Sequence, residues 1–205
     1  MRDLLIRCTS LLFLVVLPSL PTSYTSAEMQ RLRLGDGVGI SVPADWTVRL
    51  NEAARRYEIG RQTFKDSTGI DDSSVTVLSA ISKSTGAEVK VNVMKDAEFT
   101  ARMYELSPAE VEELEPFIHD LLSRTASVLG ITILQHHIPG IVKMNGRSVL
   151  VMGYLYATPT GPWSMAQYKI PAKGKQVPVT FNYPKAKESE LAPVMLDMLL
   201  SVKVE

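Results

Sequence analysis

The sequence predicts an α+β protein: an α/β/α sandwich with a central, largely antiparallel sheet covered by helices on both faces. Three observations lead there. Along Ser148–Ala157, Val149, Val151 and Leu155 fall on one side of a strand, and Leu150, Met152, Tyr154 and Tyr156 on the other. Both faces are apolar, so both need covering. The last third alternates apolar runs with turn residues, foremost Asn145-Gly146, a pair that tolerates the two positive φ angles of a tight hairpin. Two segments, one opening at Ser107 and one near Glu188, repeat apolar residues at helical spacing, and with the N-terminal segment they are the available covers.

The elements follow in order. Arg31-Leu32-Arg33-Leu34 alternates, Gly35-Asp36-Gly37 turns, and Val38–Val42 alternates back, as a hairpin does. Pro43-Ala44-Asp45-Trp46 ends that strand, with Trp46 placed to fold over its end. Residues 47–73 are polar and weakly patterned, with one strand expected around Arg56–Phe64 and a loop at Lys65–Gly69. Val75–Ile81 is apolar on both faces. Val89, Val91 and Val93 alternate with Lys90 and Asn92, which predicts one wet face.

Ser107-Pro108-Ala109-Glu110 has capping-box spacing with proline at the first helical position. Val111, Leu114, Ile118, Leu121, Leu122 and Leu129 then recur at helical spacing, Pro116 should kink the helix, and Gly130 should stop it. A meander of strands is expected at Ile131–Ile138, Ile141–Met144, Arg147–Ala157, Trp163–Ile170 and Gln176–Asn182, with a five-residue turn at Thr158–Pro162. A last helix covers about Glu188–Ser201, where Pro193 fits only if it lies in the first turn.

Residues 1–27 have the layout of an export signal. Arg2 and Arg7 precede the apolar run Leu11–Leu17, Pro18 breaks it, and Thr25-Ser26-Ala27 offers a cleavage point. Seven apolar residues fall far short of the ~20 that span a bilayer, so no stable membrane anchor is expected after cleavage. The only cysteine, Cys8, lies inside this leader. The remaining chain, 28–205, is expected to be a single domain held by its core, without disulfide, thiolate or cysteine-zinc chemistry. Lysine plus arginine and aspartate plus glutamate both number 22. Losing Arg2, Arg7 and Asp3 leaves 20 against 21, a net of −1. That balance argues against a basic nucleic-acid binder or a polybasic membrane-surface protein.

The stretch Gly39-Ile40-Ser41-Val42-Pro43-Ala44-Asp45-Trp46, the Asn145-Gly146-Arg147 hairpin entering a long apolar strand, and the ending Leu199-Leu200-Ser201-Val202-Lys203-Val204 together resemble the PsbP-like superfamily. That superfamily includes a photosystem extrinsic protein, a nuclear Ran-release factor and many exported bacterial proteins. The resemblance spans nearly all of residues 28–205. It implies an α/β/α sandwich and a non-enzymatic accessory or binding role, and it supplies no functional residues.

Candidate chemistry is sparse. Gly35-Asp36-Gly37-Val38-Gly39 has glycine spacing that suggests a phosphate loop, but no helix start follows, so a turn is expected. Glu115 and His119 have a spacing that suits metal ligation, with Glu112 on the same helical edge. Two or three side chains on one helix make no complete site, so a solvated edge is expected and no metal or other cofactor. His136 and His137 are adjacent on a strand and must point to opposite faces. Asp71-Asp72 is a paired acid in a polar loop, and sequence adjacency alone does not give paired carboxylates a catalytic separation.

Tyr154, Tyr156, Trp163 and Tyr168 fall on neighbouring meander strands. They are the candidate partner or ligand surface, with core packing as their alternative role. The functional expectation is an exported, periplasmic or secreted accessory protein that docks to an envelope protein or complex through a sheet end or loop. Two alternatives are a hydrolase or lyase using His136 or His137 with distant acids, and a small-ligand or lipid carrier with a cavity lined by Met152, Met165, Met195 or Met198.

Overall fold

The computed structural model describes residues 28–51, 74–95 and 105–205. The leader, the strand expected at Arg56–Phe64, the Lys65–Gly69 loop and Asp71-Asp72 lie outside the described residues. Strands β1 (Met29–Gly35), β2 (Val38–Pro43), β3 (Thr47–Leu50), β4 (Val75–Ile81) and β5 (Glu88–Lys95) precede helix α1 (Pro108–Val128). Strands β6 (Thr132–Met144), β7 (Arg147–Thr158), β8 (Gly161–Ala172) and β9 (Lys175–Pro184) follow. A 3-10 turn at Lys185–Lys187 leads into helix α2 (Glu188–Leu200), and β10 (Lys203–Val204) closes the chain.

Among the described residues one sheet has seven strands in the order β3-β4-β5-β9-β8-β7-β6, the other three in the order β1-β2-β10. Every described pairing is antiparallel. The central β5–β9 pairing joins two hairpin series that are far apart in sequence.

β7 divides its side chains as its alternation requires. Val149 and Val151 join one core cluster, and Leu150, Met152 and Tyr154 another. The layers over the two faces differ from the expected pair of helical covers. On one side Leu34, Val38, Ile40 and Val42 of the β1–β2 hairpin share the core with Leu191, Met195, Met198 and Leu199 of α2. That layer is part sheet and part helix. On the other side Ile118 and Leu122 of α1 meet Leu150, Met152, Tyr154 and Met165, so among the described residues α1 packs toward the β6–β8 end. The fold is α+β and dominated by antiparallel sheet.

Local chemistry explains the element ends. Ser107 accepts from the Glu110 amide at 3.4 Å, and a Glu110 carboxylate oxygen accepts from the Ser107 amide at 2.7 Å. The Ser107 hydroxyl also donates to this carboxylate at 2.7 Å, and the hydroxyl first and the Ser107 amide second hold the Glu110 carboxyl below its usual range. At the other end the Ile131 amide donates to Ala126 and the Gly130 amide to Ser127, with Gly130 at φ +65°, the two bonds of a Schellman stop. Ser107→Ala should lower the melting temperature by about 2–4 °C, read by thermal circular dichroism, because the Glu110 amide loses its acceptor.

Four expectations need correction. The strands expected at Ile131–Ile138 and Ile141–Met144 are one strand, β6, carried across Pro139 by a register shift between His137 and Gly140. Proline is tolerable there because it falls at that bulge, on a strand that is the sheet edge among the described residues. The turn at Thr158–Pro162 shrinks to Pro159-Thr160, since Thr158 already pairs with Gly161. Pro193 is the sixth residue of α2, beyond its first turn. The bond it removes is to the Ser189 carbonyl, and Ser189 is exposed, so water can satisfy it. Finally, β3 and β10 are strands where none was expected.

The segments that carry the PsbP-like resemblance meet at one end of the molecule. Asn145 donates to the Leu200 carbonyl at 3.0 Å, and Arg147 to the Val204 carbonyl at 2.9 Å. Ser201 accepts from the Ser41 amide at 2.7 Å and donates to the Met198 carbonyl at 2.6 Å. The β6–β7 turn, β2 and the chain end are therefore tied together by side-chain bonds to backbone.

Candidate functional site

The two adjacent histidines do point to opposite faces, as strand geometry requires. His136 lies opposite Tyr154 and His137 opposite Gly153. His136 stacks on His119 of α1, with ring centroids 4.3 Å apart and planes inclined by 22°. Its Nε2 is 3.2 Å from Ser123 Oγ. His119 Nε2 is 3.8 Å from a Glu115 oxygen, too long for a hydrogen bond. His119 Nε2 and His136 Nδ1 are buried without hydrogen-bond partners. Burial first, and His119 second, push the His136 pKa down.

Stacked rings direct their nitrogen lone pairs along nearly parallel planes, which do not converge on one ion. Among the described residues no group of three His, Cys, Asp or Glu side chains could hold a metal.

His137 is half-buried under the opposite face. Burial, then Lys185, lower its pKa, and Glu188 opposes them. Glu188 is already engaged: Tyr183 donates to it at 3.1 Å and Lys185 at 2.6 Å. Among the described residues neither His136 nor His137 bonds a carboxylate, so the two-acid arrangement sought for general acid–base work is not assembled around them there.

The predicted aromatic set separates. Tyr154, Tyr156 and Trp163 share the face under α1, with Tyr156 opposite Trp163 across the β7–β8 pair. Tyr154 and Tyr156 meet edge to face at 5.6 Å. Burial raises the pKa of Tyr154, and pushes that of Tyr156 up to about 12. Tyr168 lies opposite Val151 and packs edge to face on Phe181 at 6.0 Å, inside the other core cluster. Tyr154 and Tyr168 are buried, whereas Tyr156 and Trp163 are half-exposed at the strand ends.

The four methionines proposed for a carrier cavity also divide. Met152 and Met165 belong to one core cluster, Met195 and Met198 to the other, and all four are buried. They cannot line one chamber. An open polar groove of about 460 Å³ lies elsewhere, lined by Asp36, Gly37, Lys95, Gly174, Lys175 and Glu205. Its charges largely pair among themselves: Lys95 is 3.4 Å from Asp36, and Lys175 donates to the Asp36 carbonyl. The Gly35–Gly37 segment is a hairpin turn at positive φ and β2 follows it, as expected in place of a phosphate loop.

The surface that sequence reasoning missed is the edge formed by α1 and β6. Phe117 is 66% exposed, Leu134 51%, Leu129 47% and Ile138 44%. Leu134 and Ile138 fall at the two register shifts of β6. Each bulge interrupts the alternation that would have turned these side chains inward. Among the described residues β6 is also the outer strand of its sheet, with no strand paired along its far side.

The architecture defines a protein with a PsbP-like fold. Its solved likenesses include cyanobacterial PsbP from Synechocystis sp. PCC 6803, with TM-score 0.54 and 10% identity over 92% of this chain and 99% of that one. LpqN, involved in cell envelope biogenesis of Mycobacterium tuberculosis, gives TM-score 0.44 and 13% identity over 85% and 89% of the two chains. The Ran-binding protein Mog1p of Saccharomyces cerevisiae gives 0.43 and 10% over 87% and 96%. No protein-family model and no curated protein matches the sequence. Among the described residues no helix is long and apolar enough to cross a membrane.

Proposed function

We propose that the chain is exported, loses residues 1–27, and works as a single-domain, non-enzymatic accessory protein that docks to an envelope protein through its α1–β6 edge. The observation that carries this is the placement of exposed apolar side chains. Of six exposed large hydrophobic residues among the described ones, Phe117, Leu129, Leu134 and Ile138 belong to α1, its cap and β6; Leu50 and Leu200 are the others. An apolar strand edge beside an exposed aromatic suits a partner that adds backbone pairing and covers the side chains. Tyr156 and Trp163, half-exposed at the neighbouring strand ends, form the rim of this surface. Tyr154 contributes to the core beneath it, whereas Tyr168 belongs to the core on the other face of the sheet.

The test is a double substitution, Leu134→Asp with Ile138→Asp. Both side chains are exposed, so the melting temperature should hardly change. Recovery of the envelope partner with a tagged copy should fall at least about tenfold, the effect of removing ~1.4 kcal/mol of interface energy. Undiminished recovery from a folded double variant would remove the α1–β6 edge from the account.

A further inference from the structure

The stack of His119 on His136 is the one place among the described residues where buried imidazole nitrogens lack partners. It is also a point of contact between α1 and β6, the two elements of the exposed edge. We propose that this stack is a pH-operated latch: with at most one proton it holds α1 against β6, and with two it releases the helix.

The two rings are not equivalent proton acceptors. On His119, the unpartnered Nε2 faces Glu115 at 3.8 Å, so a proton there creates an ion pair. On His136, Nε2 already has Ser123 Oγ at 3.2 Å. The remaining Nδ1 is buried with no acceptor, so a proton there is a buried N–H without a partner. It also sits 4.3 Å, ring to ring, from the imidazolium of His119. Two cations at that separation repel strongly in a partly buried site.

The other groups around the pair do not offset this charge. Asp120 and Arg124 on α1 pair with each other at 2.5 Å. Tyr154, opposite His136 on β7, stays protonated because burial raises its pKa. His137 points to the other face.

The sign is fixed by linkage. The His136 pKa is lowered in the docked state, and a released imidazole returns to about 6.5. The docked state therefore binds fewer protons than the released state. Its stability is complete above the released value and falls as pH drops below about 6.5.

Hydrogen exchange tests the latch directly. Protection of the α1 amides, corrected for intrinsic exchange rates, is compared with that of β5 and β9 between pH 7.5 and pH 5.0. α1 protection should fall by about tenfold relative to the central strands. The double variant His119→Phe with His136→Phe keeps two stacked rings and no titratable nitrogen, so its α1 protection should be the same at both pH values. Unchanged relative protection in the natural sequence overturns the latch, as does an equal acid loss in the double variant. Should the double variant fail to fold, NMR titration of the histidine Cε1 protons decides. The His136 midpoint should lie below that of a free imidazole and shift upward in His119→Phe. A His136 midpoint that does not move in His119→Phe contradicts the proposal.

Discussion

Phe181→Ala should destabilise the protein by about 3–5 kcal/mol, measured as the free energy of urea unfolding. Phe181 is 2% exposed and sits on β9, an interior strand of the seven-stranded sheet. Its neighbours in register are Val89 on β5 and Ala166 on β8, and Tyr168 meets its ring edge to face at 6.0 Å. The substitution removes the ring from the join between the two hairpin series, and backbone pairing on both sides limits collapse into the space left. Phe181→Leu keeps most of the volume and should cost under about 1.5 kcal/mol. A small loss for alanine would mean that this centre is loosely packed.

Gly153→Ala should cost about 3 kcal/mol or more, at the upper end of overpacking effects. Gly153 lies on β7 between His137 on β6 and Ala166 on β8. An added methyl would overlap the Met165 carbonyl oxygen and approach the Ala166 Cα and the His137 ring, each at 3.2 Å. The first two are backbone in a paired strand, so they yield only if the β7–β8 ladder opens. Gly146→Ala has open space around its Cβ but a φ of +78°, so its smaller cost comes from conformation alone. Denaturation of the two variants side by side separates crowding from backbone strain. Equal midpoints would show that β7 and β8 are not held at this distance.

Much of the sheet was legible because its information is local. Val89, Val91 and Val93 are buried while Lys90 and Asn92 are half-exposed, following the alternation of β5. Asn145 and Gly146 take the positive φ angles their side chains permit. Ser107 and Glu110 bond within four residues. What stayed hidden depends on distant segments. β3 has four residues and β10 two. Each is defined by the strand it pairs with, β4 and β2, and not by a pattern of its own. The same holds for the meeting of His119 with His136, since helix spacing and strand alternation specify each face but not what lies across from it.

The division of the aromatic set could have been read from register. A two-residue turn at Pro159-Thr160 pairs Tyr156 with Trp163 and Val151 with Tyr168. Tyr168 then shares a face with Val151 and not with Tyr154. A five-residue turn leaves that register undetermined, and a one-residue slip exchanges every side chain between faces. The exposed edge was obscured in a similar way. Leu134 and Ile138 count as inward residues in a regular strand, and the bulges that turn them outward leave no sequence signal beyond Pro139-Gly140 beside one of them.

Site-specific photocrosslinking in living cells tests the docking edge most directly. A photoreactive residue is placed at Phe117 or at Leu134, and at Lys173 in the β8–β9 turn as the control. Both edge positions should yield the same dominant envelope protein, and Lys173 should not. Equal labelling from all three positions, or a single partner captured only from Lys173, would contradict docking through this edge.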